Sequence, residues 1–383
     1  MTPVAEQEKR VTWAELFFDL VFVVAVTQVS GLLHDDHSWS GAVRALVVFI
    51  PIYWAWVGTT MHANLHDVDR TRARMGVFAV GLCGLFMALA LPEAYESHGL
   101  LFGASYWAAR LLLYALMRRS YRGVGINPFT AAAFVTGPLL TLGGLAHGNV
   151  RVTLWALAAA VDLLVPFLAR RRMARIAYEP SHLPERFGLF VIIALGESVA
   201  EACKVAAEQP VTPARLAAVA VAFAVACALW WVYFVFAAGA IRYALRTAEV
   251  AMEVIRPVLP YGHLGFIGGV IAVAAATGEV ILHPLDHLHT DSAALLFGGT
   301  ALYLATFGYT RWQMFRTVST TRLSAAGLCL ALLPLATYVP ALAAMTALTA
   351  ALVALNVWEA RIAHRYEDPE RDFPYTNVER RTG

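Results

Sequence analysis

Apolar stretches of membrane-spanning length recur along most of this 383-residue chain. A helix needs about 20 apolar residues to cross the hydrocarbon layer of a bilayer. Measured against that length, the pattern predicts twelve helices, the last two from one long stretch that Pro334 and Pro340 interrupt. The predicted spans are 12–33, 41–63, 75–94, 100–118, 126–147, 152–169, 187–206, 214–238, 257–282, 292–315, 322–339 and 341–361. The pattern therefore predicts an all-α, polytopic integral membrane protein.

The overall composition agrees with this class. Hydrophobic residues make up 59% of the chain, charged residues make up 15%, and the mean hydropathy is +0.60. A soluble domain usually has about 25% charged residues. No run of Lys and Arg is interleaved with aromatic residues, so nucleic acid is not an expected partner. The four cysteines lie in apolar segments without a CxxC spacing, which is typical of residues that pack between helices.

The basic residues indicate the orientation of the helices. If the N-terminus is cytoplasmic, most of the 29 Lys and Arg residues fall in inner segments, including 70–74, 118–122 and 170–186. Such a bias is the one that the positive-inside rule describes. It predicts an even number of crossings with both termini in the cytoplasm.

The chain also contains an internal similarity. When Glu15 is aligned with Glu185, Phe17 falls on Phe187, and both belong to apolar helices that carry acids. Because six spans precede the Arg-rich loop and six follow it, both of these helices enter from the same side, and the two repeats are predicted to be parallel. The predicted regions are an N-terminal half at 1–169, a cytoplasmic linker at 170–186, a C-terminal half at 187–362 and a cytoplasmic tail at 363–383.

Several acids lie within the predicted spans, where a charged side chain is costly unless it is used or paired. Glu15 and Asp19 lie one turn apart near the start of the first span, and Asp19 is about 10 Å inside it. Glu197 lies about 15 Å from the start of the seventh span, near the bilayer midplane, and is the strongest single candidate. The adjacent Gly196 predicts a close approach by another backbone.

Other polar residues lie at a similar depth to Asp19. Arg110 and Asp162 are each about 10–12 Å from the cytoplasmic ends of their spans, and His263 is slightly shallower. Intramembrane charges normally pair, so we expect a network of Asp19, Arg110 and Asp162. Such a network is compatible both with a structural clamp between helices and with an ion path. The candidate ion- or substrate-binding residues are therefore Glu15, Asp19, Arg110, Asp162, Glu197 and His263.

The predicted outer loops are rich in His and Asp, at 34–37 and 283–291. Imidazole and carboxylate groups are good zinc ligands, but no spacing here is diagnostic of a metal site. We expect neither a metal nor a cofactor. The sequence also contains no Walker loop, GxSxG elbow or HExxH helix, and we assign no catalytic residue.

Two segments resemble the signatures of a known family. Residues 11–30 read VTWAELFFDLVFVVAVTQVS, and residues 186–198 read RFGLFVIIALGES. Both are similar to motifs of the bacterial low temperature requirement A family, as is the MALALPEAY run at 87–95. The resemblance covers nearly the whole chain. It implies a multi-pass protein of the bacterial cytoplasmic (inner) membrane that is linked by name to growth in the cold, with no settled biochemical activity.

The leading functional hypothesis is a proton- or cation-coupled transporter, or another ion-translocating protein, that uses buried carboxylates. A passive cation channel is an alternative, because Phe17-Phe18-Asp19 resembles the Phe-Ser-Asp signature of bacterial and lysosomal potassium channels, with Phe18 in place of the serine. An intramembrane enzyme acting on a lipid or isoprenoid-like substrate is a less favoured alternative. Expected partners are membrane lipid and a small ion or small-molecule substrate. The sequence is also compatible with a homo-oligomer.

Overall fold

The computed structural model describes residues 9–174, 176, 178–179, 181–248 and 251–366. Over these residues the fold is helical, and each predicted span overlaps one long helical segment. In chain order these segments are α1 Trp13–Asp35, α2 Trp39–Leu65, α3 Thr71–Glu93, α4 Gly99–Met117, α5 Pro128–Leu145, α6 Gly148–Leu168, α7 His182–Ala207, α8 Pro213–Thr247, α9 Met252–Leu282, α10 Thr290–Phe315, α11 Thr320–Ala336 and α12 Ala341–Tyr366.

Ten of the helices in the described residues are long and apolar enough to cross a membrane. The other two are α11, which is apolar but has only 17 residues, and α7, which has 26 residues and several charged side chains. The protein is thus a polytopic helical membrane protein. The count of twelve crossings, the parallel repeats and the cytoplasmic termini stay predictions. Of the predicted tail at 363–383, residues 367–383 lie outside the described residues.

The chain divides into two compact units. The first contains the described residues up to Ile193 together with Ala248–Pro260. The second contains Ala194–Thr247 and the described residues from Tyr261 onwards. The predicted halves at 1–169 and 187–362 describe an internal repeat rather than compact units. That division also stays a prediction.

In the first unit, glycines let α4 and α5 approach closely. A Cβ added at Gly103 would lie 2.4 Å from the carbonyl oxygen of Leu140, and one added at Gly144 would lie 2.4 Å from the carbonyl oxygen of Gly99. Small residues at such crossings allow backbones to touch, which favours helix association in a membrane. This packing fixes α4, the helix that carries Arg110.

A lysine caps the end of α2. The Nζ of Lys9 donates to the carbonyl oxygens of Ala63 at 2.5 Å, Asn64 at 2.8 Å and His66 at 2.7 Å. These carbonyls have no partner within the helix, and a cation there also complements the helix dipole. Burial lowers the pKa of Lys9, while nearby acids, Glu15 first among them, oppose that shift.

A buried arginine has a similar role at another set of helix ends in the first unit. Arg151 is 2% exposed and donates to the carbonyl oxygens of Ala94 at 2.9 Å, Glu96 at 2.8 Å and Ala146 at 2.9 Å. The first two acceptors follow α3, and the third follows α5. One guanidinium therefore joins two helix ends to the start of α6.

Four π-helical segments interrupt the described helices. They are Ala132–Thr136 in α5, Val232–Ala237 in α8, Pro257–Gly262 in α9 and Ala294–Gly298 in α10. A π turn is wider than an α turn and occurs frequently at functional sites. The hydrophobic pattern of the sequence does not predict any of them.

Candidate functional site

A buried cluster of four ionisable side chains joins the first turns of α1 and α7. Its members are Glu15, Asp19, His182 and Arg186, and each has 0% exposure. The Nε2 of His182 lies 3.0 Å from Oε1 of Glu15, and Nη1 of Arg186 lies 3.3 Å from the same oxygen. The Nη2 of Arg186 donates to Oδ1 of Asp19 at 2.8 Å. We call these four residues the ion cluster.

Helix geometry explains how the ion cluster forms. Glu15 and Asp19 are four residues apart on α1, and His182 and Arg186 are four residues apart on α7, so each helix presents two groups on one face. The start of α1 is fixed by a capping box, in which the backbone N–H of Thr12 donates to Oε2 of Glu15 at 2.8 Å. The second oxygen of Glu15 is left to face α7.

Aromatic side chains enclose the Asp19 end of the cluster. The indole Nε1 of Trp56 donates to Oδ1 of Asp19 at 2.7 Å. The Trp56 ring stacks on Phe190 with centroids 4.1 Å apart and meets Phe187 edge to face at 4.9 Å. The other oxygen of Asp19, Oδ2, is buried and accepts no hydrogen bond from the described residues. Asp19 is therefore fixed through Oδ1, while Oδ2 can take up a proton or accept a further hydrogen bond.

The imidazole of His182 is oriented from the end of α2. The Nδ2 of Asn64 lies 3.4 Å from Nδ1 of His182. The Asn64 amide is itself fixed by two hydrogen bonds to the backbone of Glu179, one donated and one accepted, both at 2.9 Å. A donor at Nδ1 favours the tautomer that carries its proton on Nε2, the atom that faces Glu15.

The charges of the ion cluster do not balance without a proton. Within these four side chains, two carboxylates face one guanidinium, so they carry one excess negative charge when the imidazole is neutral. The half-buried Lys9 ammonium also interacts with Glu15, but it is bound to the carbonyl oxygens at the end of α2 and lies outside the cluster. Uptake of one proton, on His182 or on a carboxylate, makes the cluster neutral. An uncompensated buried charge is strongly unfavourable, so this arrangement is chemically suited to bind and release a single proton.

Arg110 and Asp162 form a second buried pair in the first unit. The Nη2 of Arg110 lies 3.6 Å from Oδ1 of Asp162, and both side chains are 2% exposed. Asp162 also accepts hydrogen bonds from the hydroxyls of Tyr106 and Thr136, the latter at 3.2 Å. The Nη1 of Arg110 donates to the backbone oxygen of Trp54 at 2.8 Å. The pairing of Arg110 with Asp162 agrees with the sequence-based prediction.

Asp19, the predicted third member of that network, has a different partner. Asp19 pairs with Arg186 rather than with Arg110. The reason is that α7 begins at His182, ahead of the predicted start at 187, so Arg186 lies inside the helix instead of in the basic linker. The spacing of His182 and Arg186 is the signal in the sequence that could have identified them, because it repeats that of Glu15 and Asp19.

The remaining candidates lie in the second unit. His263 is fully buried, and its Nε2 is 2.6 Å from the hydroxyl of Tyr233. Its ring also meets Phe266 edge to face at 5.3 Å, so it belongs to an aromatic core.

Glu197 is half-buried and lies about 22 Å along α7 from His182. The structure does not bear out the predicted close backbone approach at Gly196, since no atom of the described residues lies within 4 Å of a Cβ added there. Glycine composition alone does not reveal whether a neighbouring helix faces that position.

The described residues contain no group of three or more His, Cys, Asp or Glu side chains arranged to hold a metal ion. In the His- and Asp-rich loop at 34–37, the rings of His34 and His37 meet edge to face with their centroids 5.5 Å apart. His283 and Asp286 form an exposed pair at 3.4 Å.

Comparisons with known proteins identify the family to which the chain belongs. The chain is 31% identical over 317 residues to an uncharacterized protein of Rhizobium meliloti (strain 1021), which covers 78% of this chain and 76% of the relative. No solved structure matches significantly. Residues 10–357 match the family described as bacterial low temperature requirement A protein. The chain therefore belongs to the bacterial low temperature requirement A family.

Proposed function

We propose that this protein is a proton-coupled transporter or ion-translocating protein of the bacterial inner membrane, and that the ion cluster binds the coupling proton. The observation that supports this proposal is the unbalanced charge of Glu15, Asp19, His182 and Arg186, which are all fully buried. A group of this kind changes from charged to neutral when it takes up one proton. That change alters the electrostatic free energy of the contact between α1 and α7.

The position of Arg186 favours a proton over a freely diffusing metal cation. Its guanidinium lies 2.8 Å from Asp19 and 3.3 Å from Glu15, so it occupies the space between the two carboxylates. A fixed positive charge there repels a cation moving along α1. A proton, by contrast, binds directly to an oxygen or to the imidazole without displacing the arginine. This argues against a passive cation channel along α1.

The other candidates have supporting roles in this proposal. Arg110 and Asp162 form a neutral pair that sets the local charge in the first unit. Glu197 is the second proton- or cation-binding acid, and His263, hydrogen-bonded to Tyr233, is a further polar group of the second unit.

Proton movement in proteoliposomes tests the proposal. The purified protein is reconstituted with a trapped pH-sensitive dye, and a potassium gradient with valinomycin imposes a membrane potential. Glu15→Gln is the informative variant, because its cluster of one carboxylate and one guanidinium is already neutral and should fold. We expect this variant to reduce proton uptake to the level of protein-free vesicles.

The matched control is Glu201→Gln. It makes the same chemical change in a partly exposed pair, since Glu201 lies 3.3 Å from Lys204 one turn along the surface of α7. This variant should retain wild-type proton uptake. Wild-type uptake in a correctly folded Glu15→Gln variant would refute the role proposed for the ion cluster.

A further inference from the structure

A large apolar pocket lies in the second unit, between α8, α9 and the part of α7 from Leu195 onwards. Its volume is about 320 Å³. A water molecule needs about 10–15 Å³ by this measure, so the pocket has room for about 20–30 groups of the size of water or of a methylene. The described wall residues include no charged side chain. A pocket of this size and chemistry fits a hydrocarbon chain.

The two hydroxyl groups in the wall do not make the pocket polar. The Ser198 hydroxyl donates to the carbonyl oxygen three residues earlier, and the Thr277 hydroxyl donates to the one four residues earlier, both at 2.7 Å. Each hydroxyl is therefore satisfied within its own helix. Two wall residues of α8, Leu216 and Phe223, are 59% and 56% exposed. Exposed apolar side chains on a membrane helix face lipid, so a lipid chain can enter the pocket from this side.

An arginine lies at one end of the pocket. Arg215 directly precedes the wall residue Leu216 near the start of α8, and its Nε donates to the carbonyl oxygen of Ile281 at 3.1 Å. Ile281 is one turn beyond Thr277, the last described wall residue of α9. The guanidinium therefore joins the first turn of α8 to the last turn of α9, where the apolar wall ends.

The charge of Arg215 is not paired with a carboxylate of the described residues. Its guanidinium donates to backbone carbonyl oxygens, those of Ile281, Leu282 and Pro210. Glu279 lies two residues before Ile281, but it forms no ion pair with Arg215. The three carbonyls use three of the five N–H groups of a guanidinium, which leaves two donors. A cation with spare donors at the end of an apolar pocket suits a ligand with a hydrocarbon chain and an anionic head.

We infer that the pocket binds an acyl chain of an anionic phospholipid whose headgroup phosphate is held by Arg215. The ligand is a phospholipid rather than a soluble anion, because the wall is apolar and one side of it faces lipid. A headgroup with a net negative charge neutralises Arg215, whereas a zwitterionic headgroup brings a cation of its own. The inference does not depend on proton coupling, because the ion cluster belongs to the first unit.

Native mass spectrometry of the full-length protein in detergent tests this site. Phosphatidylglycerol and phosphatidylcholine with identical acyl chains are the probes, and they are added separately at equal concentrations. We expect one phosphatidylglycerol to bind about tenfold or more tightly than phosphatidylcholine, because its phosphate forms a charge-assisted hydrogen bond that no second cation weakens. Arg215→Gln should remove this preference, and Arg215→Lys, which keeps the charge, should retain it.

Two cysteines provide a matched pair of variants that leave the charge of Arg215 in place. Cys203 and Cys227 are both exposed, but only Cys203 belongs to the described wall of the pocket. Cys203→Phe takes up space in the pocket and should weaken the binding of both phospholipids by about tenfold or more, whereas Cys227→Phe should leave it unchanged. Equal affinity of the wild-type protein for the two phospholipids, a preference that survives in Arg215→Gln, or unchanged binding in Cys203→Phe would each overturn the inference.

Discussion

Arg186 should be the most sensitive position of the ion cluster. Arg186→Gln leaves Glu15 and Asp19 without their shared cation, although both remain fully buried. Removing one partner of a buried ion pair costs about 3–5 kcal/mol of the free energy of unfolding. In an Asp19→Asn background the loss should be smaller, about 1–3 kcal/mol, because only Glu15 then lacks a cation and His182 still faces it.

A double-mutant cycle measures this difference. The wild-type protein, both single variants and the double variant are unfolded at equilibrium in mixed micelles of a mild detergent and dodecyl sulfate, with helicity as the signal. We expect a coupling energy of about 2 kcal/mol between Arg186 and Asp19, within the usual range for residues in contact. Arg119→Gln, an exposed arginine, should change stability by less than about 0.5 kcal/mol. Additive effects within about 0.5 kcal/mol would refute the direct pairing of Arg186 with Asp19.

Two further predictions concern stability outside the ion cluster. Arg151→Gln should lower the free energy of unfolding by about 3 kcal/mol or more, because three helix-end carbonyls lose a charged donor. The same micelle assay measures this loss, and a variant as stable as the wild type would contradict the prediction. Burial raises the pKa of Tyr121 and of Tyr178 above the usual tyrosine range, so both hydroxyls stay protonated in the fold while the unfolded chain ionises near about pH 10. The stability that these two hydroxyls contribute should therefore be fully present below about pH 10 and be lost as the pH rises further. Replacing both tyrosines by Phe should make the melting temperature fall less steeply with pH above that value. A melting temperature that falls as steeply as in the wild type would contradict the buried Tyr121–Tyr178 pair.

Apolar length predicted where the helices lie, because a membrane-spanning segment must satisfy its own backbone hydrogen bonds and present apolar side chains to lipid. Depth along the helices predicted the pairing of Arg110 with Asp162, since both lie at similar distances from the ends of their spans. The apolar and basic patterns, by contrast, placed Arg186 in the linker 170–186, because a charged residue next to a basic loop has the same composition whether it faces water or a buried partner.

A cavity of about 50 Å³ beside Arg110, in the first unit, could not be predicted from the sequence. Its walls combine Trp54, Phe129, Tyr178 and Met252, which are far apart along the chain and share no motif. The apolar pattern records that such residues are buried but not which ones meet. The Nε of Arg110 donates to no acceptor among the described residues, and this too is a property of three-dimensional packing alone.

The π-helical segments affect how the sequences of relatives should be aligned. Each wide turn, such as Ala132–Thr136 in α5, takes up one residue more than an α turn while the helix continues in the same direction. A relative that lost one residue there would return to a regular α turn and keep the same faces buried on both sides. Single-residue gaps within membrane helices of this family are therefore expected at these four places, and elsewhere in a helix such a gap would turn buried side chains towards lipid.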